Sequence, residues 1–198
     1  MMKWIAAASS PPRARLTGVV YLLYFLTAIF AEVLAGHGLV VSGDAANLIA
    51  TVWYIAVTLL LYDMFKPVNK SLSLLAAFFS LAGCAILILS PFHLAPSSIS
   101  PLFFFGPYCL LIGYLVFDST FLPRALGVLM ALAGLGWLAF LLPPVASRLS
   151  SAIEVLGIIA EGALMLWLLV IGVNVQRWKE QASAARAQSR KTRVPSQS

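Results

Sequence analysis

The chain has 198 residues, of which 61% are hydrophobic and only 10% are charged. A soluble domain is about half apolar and about a quarter charged, so this composition excludes an ordinary water-soluble core and predicts one integral membrane domain. The net charge of +6 does not indicate a nucleic-acid partner, because the basic residues stand at the ends of apolar runs and not on a polar face between aromatics.

The first apolar run, residues 16–36, is expected to be the first membrane span because it has full membrane length. Residues 1–15 are expected to be a cytoplasmic segment, since their apolar part is too short for a signal peptide. Helical spacing places Gly18, Tyr21 and Glu32 on one stripe of this span. Glu32 would then lie about one helical turn from the far end.

The second and third spans are predicted at residues 45–65 and 71–89. Asp44 is expected to cap the second span, since its side chain can accept hydrogen bonds from the first backbone amides of a helix. The predicted inward face of the second span carries Thr51, Ile55, Thr58 and Tyr62. The third span has a row of small residues that favours close helix packing in lipid, formed by Ser73, Ala76, Ala77, Ser80, Gly83 and Cys84.

The fourth span is predicted at residues 102–117, and the fifth runs from Pro123 to Pro143 with small residues on one face. The sixth span covers residues 150–176, so the six spans together occupy residues 16–176. Residues 177–198 are polar and basic, with little prospect of a core of their own, and are expected to be a disordered tail.

The threading follows from the thirteen lysines and arginines. With the N-terminus in the cytoplasm, six alternating spans leave every basic residue except Arg148 on the cytoplasmic side, as the positive-inside rule requires. The predicted fold class is therefore all-α, a polytopic membrane bundle of six transmembrane helices with both termini in the cytoplasm. The expected location is the bacterial inner membrane.

The sixth span carries two carboxyl groups, those of Glu154 and Glu161. They are seven residues apart, so they project from nearly one helix face, about 10 Å apart along the axis. An acid at membrane depth costs at least about 2.5 kcal/mol, which makes it a candidate functional residue. We expect the first and sixth spans to pack together around an outward-facing polar cavity. Ligand or proton-binding candidates are Glu32, Glu154, Glu161, Tyr21, Tyr24, Tyr108 and His93.

Another interpretation is that Glu161 is a protonated acid that forms a hydrogen bond to a neighbouring helix, while Glu32 and Glu154 reach head groups or water. The leading function class is binding or transport of a small molecule, a proton or a lipid. A second class is an intramembrane enzyme that uses Glu161 with His93 or His37. A third is a structural or regulatory subunit that binds a partner membrane protein or a second copy of the chain.

Catalytic residues cannot be assigned, because the chain contains none of the common hydrolase, nucleotide-binding or metalloprotease motifs. No cofactor is expected. A metal site is not expected either, since zinc needs three or four converging ligands and the two histidines lie in separate loops.

Several stretches together resemble a bacterial family of membrane proteins, domain of unknown function 4386. They are G-D-A-A at 43–46, L-Y-D-M-F-K-P-V-N-K at 61–70, F-F-G-P-Y-C-L-L-I-G-Y-L-V-F-D-S-T-F-L-P-R-A-L-G at 104–127 and E-G-A-L-M-L-W-L-L-V-I-G-V at 161–173. The resemblance implies a bacterial integral membrane protein and no known reaction. The family carries an arginine before its second span that this chain lacks, so no role of that arginine is transferred.

Overall fold

The computed structural model describes residues 11–95 and 100–193, and within these residues the chain is helical with no strand. A single 3-10 turn, Ser90–Phe92, follows the third helix of this described part. The α-helices in chain order are α1 Pro11–Gly36, α2 Val40–Phe65, α3 Lys70–Leu89, α4 Leu102–Asp118, α5 Arg124–Phe140, α6 Pro143–Val170 and α7 Val175–Arg193.

Helices α1 to α6 form a closed ring. Each helix packs against the next one in the chain, and α1 packs against α6. Gly18 permits this last contact, because a Cβ atom at that position would lie 2.6 Å from Cα of Leu169 and 2.9 Å from the carbonyl carbon of Leu168. The predicted packing of the first and sixth spans is therefore confirmed, and it depends on a small residue as in other lipid-embedded helix pairs.

The outer surface of the ring is apolar. Large exposed hydrophobic side chains occur on every face, for example Leu26, Phe30, Ile49, Phe78, Leu135 and Ile158. Four segments of the described residues are long and apolar enough to cross a membrane: Arg13–Gly36, Val40–Phe65, Lys70–Phe92 and Pro143–Val170. Helices α4 and α5 are also apolar but have only 17 residues each. The all-helical prediction is confirmed with four candidate spans, and the count of six remains a prediction.

The small residues of α3 that were predicted to favour close helix packing are buried. Its buried residues are Ser73, Ala76, Ala77, Ser80, Gly83 and Cys84. The hydroxyl oxygens of Ser80 and Thr58 lie 2.6 Å apart, and the hydroxyl of Ser73 donates to the carbonyl of Tyr62 at 3.1 Å. Buried hydroxyls therefore join α2 to α3, and each of them has a partner at this contact.

Glycines bring α4 and α5 into backbone contact. A Cβ atom at Gly113 would lie 2.7 Å from the carbonyl oxygen of Gly127, and one at Gly134 would lie 2.8 Å from that of Gly106. The small residues predicted on one face of the fifth span therefore lie between two helices of the same chain.

The start of α2 differs from the prediction. The helix begins at Val40 after Leu39, which has no side-chain capping bond, and Asp44 lies inside the helix. The predicted cap is wrong because Gly38, with φ of 80°, reverses the chain directly after α1. Gly43 then packs against α1, where a Cβ atom would lie 3.2 Å from the carbonyl oxygen of Ala31.

The inward face of α2 is also rotated from the predicted one. Thr51 and Thr58 are buried as expected, but Ile55 and Tyr62 are only partly buried. The most completely buried row on this helix is Ala50, Tyr54, Val57, Thr58 and Leu61. This rotation brings an aromatic residue, Tyr54, into the ring.

Helix α6 ends earlier than the predicted sixth span. The backbone N–H groups of Ile171 and Gly172 both donate to the carbonyl of Trp167, at 2.9 and 2.8 Å. Gly172 has φ of 79°, the left-handed conformation that commonly terminates a helix.

The segment expected to be a disordered tail instead forms α7 over Val175–Arg193, while residues 194–198 lie outside the described part. The side chain of Asn174 caps this helix by accepting from the backbone N–H of Arg177 at 3.1 Å. Trp178 is buried, and its indole N–H donates to the carbonyl of Met64 at 3.0 Å. The segment is mostly polar, so its composition does not predict docking. One tryptophan and a few hydrogen bonds hold the helix against the bundle.

Candidate functional site

Glu161 lies on α6 and faces the interior of the ring. Its Oε2 atom accepts a hydrogen bond of 2.7 Å from the hydroxyl of Tyr21 on α1. The hydroxyl of Tyr54 on α2 lies 3.5 Å from Oε1, and Sγ of Cys109 on α4 lies 4.0 Å from the same oxygen. Three other helices thus direct a weak or strong donor toward one carboxyl group.

Aromatic rings surround this carboxyl group. Tyr24, one turn after Tyr21 on α1, has its ring 4.7 Å from that of Tyr54. The ring of Tyr54 meets that of Phe105 edge-on at 5.5 Å and that of Tyr108 at 6.0 Å. These distances lie within the range of favourable aromatic pairs, so the rings form a continuous wall beside Glu161.

A cavity of about 290 Å³ opens beside Glu161. It lies toward the end of the bundle where α3 ends and α4 begins, since Leu87 and Leu102 also line it. Its volume is close to the lower limit of ordinary small-molecule sites. The described lining consists of Tyr24, Thr51, Tyr54, Leu87, Pro101, Leu102, Phe105, Trp137 and Glu161.

Trp137 reaches the cavity from α5 across Gly157 of α6. A Cβ atom at Gly157 would overlap Cζ2 of the indole ring and lie 3.0 Å from Cε2. Gly157 is one helical turn before Glu161 on α6. The glycine therefore lets a large aromatic ring lie beside the carboxyl group.

The predicted candidates divide into two groups. The structure brings Tyr21 and Tyr24 to Glu161, but Glu32 and Glu154 are both exposed and do not line the cavity. A cavity with three carboxyl groups was expected, and the described residues form one with a single carboxyl group.

Helix geometry explains why these two acids lie outside the cavity. Ala31 is fully buried, and the next residue, Glu32, lies about 100° further around the helix and outside the interface. On α6, none of residues 143–152 is buried, and the buried face begins only at Ile153. Glu154 therefore lies at the level where the neighbouring helices begin to cover α6. Sharing a face with Glu161 does not bring it into the cavity.

The histidines also lie away from the site. His93 is exposed at the end of the 3-10 turn, and His37 is exposed after α1. Within the described residues, no group of three or more His, Cys, Asp or Glu side chains is arranged to hold a metal ion.

Tyr108 is buried beside the site with only 1% of its surface exposed. Its hydroxyl meets no hydrogen-bond partner among the described residues. Its ring lies 6.0 Å from that of Tyr54, so Tyr108 belongs to the aromatic cluster beside Glu161.

Sequence reasoning missed three aromatic residues of the site, namely Tyr54, Phe105 and Trp137. A signal for Tyr54 was present, because it lies three residues after Thr51 and four before Thr58, the two correctly predicted inward threonines. No local pattern marks Phe105 among three consecutive phenylalanines, or Trp137 among the apolar residues of α5.

An all-helical ring with apolar outer faces, candidate spans and one enclosed carboxyl group defines a helical membrane protein with an internal polar site. Residues 92–172 match the family model described as domain of unknown function (DUF4386), the family that the sequence resembles. The matched segment contains Phe105, Trp137 and Glu161 of the cavity.

The chain is also similar to an uncharacterized protein of Archaeoglobus fulgidus. The two are 29% identical over 126 residues, which cover 60% of this chain and 76% of the archaeal protein. No solved structure matches the chain.

Proposed function

We propose that the protein binds a small organic molecule in the cavity beside Glu161. The observation that carries this proposal is the space of about 290 Å³ whose described lining combines aromatic rings with one carboxyl group. Small-molecule sites are typically apolar pockets with a few placed polar groups, and they often lie between the helices of a bundle. Burying a carboxyl group inside an apolar bundle costs free energy, and acids in such positions are usually functional, which supports a binding role.

We further propose that all six ring helices cross the bacterial inner membrane, with both termini in the cytoplasm. The distribution of lysine and arginine supports this orientation. The cavity would then open on the outer side, since the α3–α4 connection beside it follows the third span. A bound ligand would enter from outside the cell or from the outer leaflet.

An enzyme function has less support, because both histidines are exposed and neither lines the described cavity. A scaffold function has less support as well. The glycine faces of α4 and α5 pack against each other and are not free for a partner.

The test measures binding of benzyl alcohol and benzylamine to the purified protein in lipid nanodiscs. Saturation-transfer NMR detects the binding. Leu102 lines the cavity, whereas the next residue, Phe103, is 53% exposed on the outer surface. We expect Leu102→Trp to fill the cavity and abolish binding of either probe, and Phe103→Trp to leave binding intact. Binding that is absent from the wild type, or equal in both variants, would refute the proposal.

A further inference from the structure

The described lining of the cavity contains one carboxyl group, that of Glu161, and no basic side chain. Arg13 and Lys66 lie at the opposite end of the bundle, where both contact Asp63. An anionic ligand would therefore meet a carboxyl group with no cation to offset it, which disfavours that class of ligand.

The walls favour a positive charge. Tyr24, Tyr54, Phe105 and Trp137 supply aromatic rings from four different helices around the space next to Glu161. Aromatic faces attract ammonium and guanidinium groups, and several rings around one cation form the known cage for quaternary ammonium ligands. A carboxyl group beside such rings can add direct charge pairing with a cation once it is ionised.

The lining surface of the cavity is mostly apolar. Of its polar side chains, Thr51 donates to the carbonyl of Asn47 at 2.8 Å, and Glu161 accepts from Tyr21. Such a lining offers few hydrogen bonds to a sugar or another polyol, which needs many of them to offset its loss of water. The neutral polar classes of ligand therefore fit less well than a compact cation.

We propose that the ligand is a small organic cation, an amine or quaternary ammonium compound whose positive charge lies between Glu161 and the aromatic rings. This inference rests on the proposed binding function and assigns its ligand class. The charged group is held by Glu161 and Trp137, and the apolar part of the ligand extends toward Leu87 and Leu102 at the cavity mouth.

The test compares choline with 3,3-dimethylbutan-1-ol, which has the same shape and no charge. Both are titrated against the full-length protein in nanodiscs by calorimetry. We expect the cation to bind about tenfold more tightly or better than the neutral compound, as charge pairing and cation–π contacts predict. Glu161→Gln is expected to remove this preference, and Trp137→Leu to weaken it more than Trp137→Phe does.

The outcomes separate the two proposals. Equal affinity for both compounds, abolished by Leu102→Trp, would overturn the cation assignment and leave small-molecule binding intact. A preference for the cation that survives in both Glu161→Gln and Trp137→Leu would also overturn it. Binding of neither compound, together with failure of the benzyl probes, would refute both proposals. A melting-temperature measurement confirms that each variant is folded.

Discussion

The hydroxyl of Tyr21 on α1 donates a 2.7 Å hydrogen bond to the carboxyl group of Glu161 on α6. These two helices close the ring, and their backbones meet about one turn away, at Gly18. The same contact therefore joins the ends of the ring and fixes the position of the acid at the site. A carboxyl group held in this way is preorganised for a ligand, because its orientation is set before binding.

Removing this hydrogen bond should destabilise the protein. Tyr21→Phe leaves a buried carboxyl oxygen without its donor, and we expect a loss of about 1–3 kcal/mol. Tyr108→Phe is the matched control, because it removes a buried hydroxyl that has no described partner. That variant is expected to be neutral or stabilising. Thermal unfolding of both variants in one detergent tests the pair, and equal destabilisation would contradict the assigned hydrogen bond.

The contact between α1 and α6 should not tolerate a methyl group. Gly18→Ala would place Cβ against the backbone of Leu169, so we expect a large fall in melting temperature. Gly162→Ala is the control on α6, since no atom lies within 4 Å of its added Cβ. Alanine is about 1 kcal/mol better than glycine inside a helix, so the control should be stabilised. A similar response of the two variants would argue against close packing of these helices.

Gly157 should control the shape of the cavity. Gly157→Ala would displace the indole ring of Trp137, so we expect weaker binding of benzylamine. The change in melting temperature should be smaller than that of Gly18→Ala. Gly162→Ala, at the residue directly after Glu161, should bind the probe as the wild type does. Unchanged affinity in the Gly157 variant would mean that Trp137 does not form a wall of the binding site.

Helix α7 should detach when its anchor is removed. Trp178→Ala removes a buried indole and its hydrogen bond to Met64, a change that costs about 3–5 kcal/mol when a side chain is fully packed. We expect faster tryptic cleavage at Arg177 and Lys179, and mass spectrometry of the fragments measures the rate. Arg186→Ala changes an exposed residue and serves as the control. Equal cleavage in both variants would show that α7 is held by other contacts.

The proposed threading can be tested by cysteine labelling in intact cells. Leu39 is exposed between α1 and α2, and Lys70 is exposed at the start of α3. A membrane-impermeant maleimide should label Leu39→Cys from outside and label Lys70→Cys only after the cells are opened. The native cysteines, Cys84 and Cys109, are buried and should give a low background. The reverse pattern would mean that the orientation is inverted.

Local patterns in the sequence were sufficient for much of the fold. Runs of apolar residues located the six ring helices with ends that differ by up to seven residues, and the row from Ser73 to Cys84 identified the buried face of α3. These features depend on one helix at a time, so spacing along the chain carries the information. Glu161 was found for the same reason, since an acid in an apolar helix is visible without knowledge of its neighbours.

The composition of the cavity could not be predicted in the same way. Whether Glu154 or Tyr54 faces the interior depends on how far a neighbouring helix extends and on a rotation of α2 by a fraction of a turn. The docking of α7 depends on Trp178 meeting a carbonyl group more than a hundred residues away, at Met64. Such relationships between distant segments are not encoded in any short pattern of residues.

Helices α4 and α5 differ in length from their neighbours in the ring. At 17 residues each they extend about 26 Å, less than the roughly 30 Å of hydrocarbon in a typical bilayer. In a membrane, this side of the protein would draw the two leaflets together locally and collect lipids with shorter acyl chains. The cavity wall formed by Phe105 and Trp137 belongs to this short side, so bilayer thickness would bear directly on how easily a ligand enters.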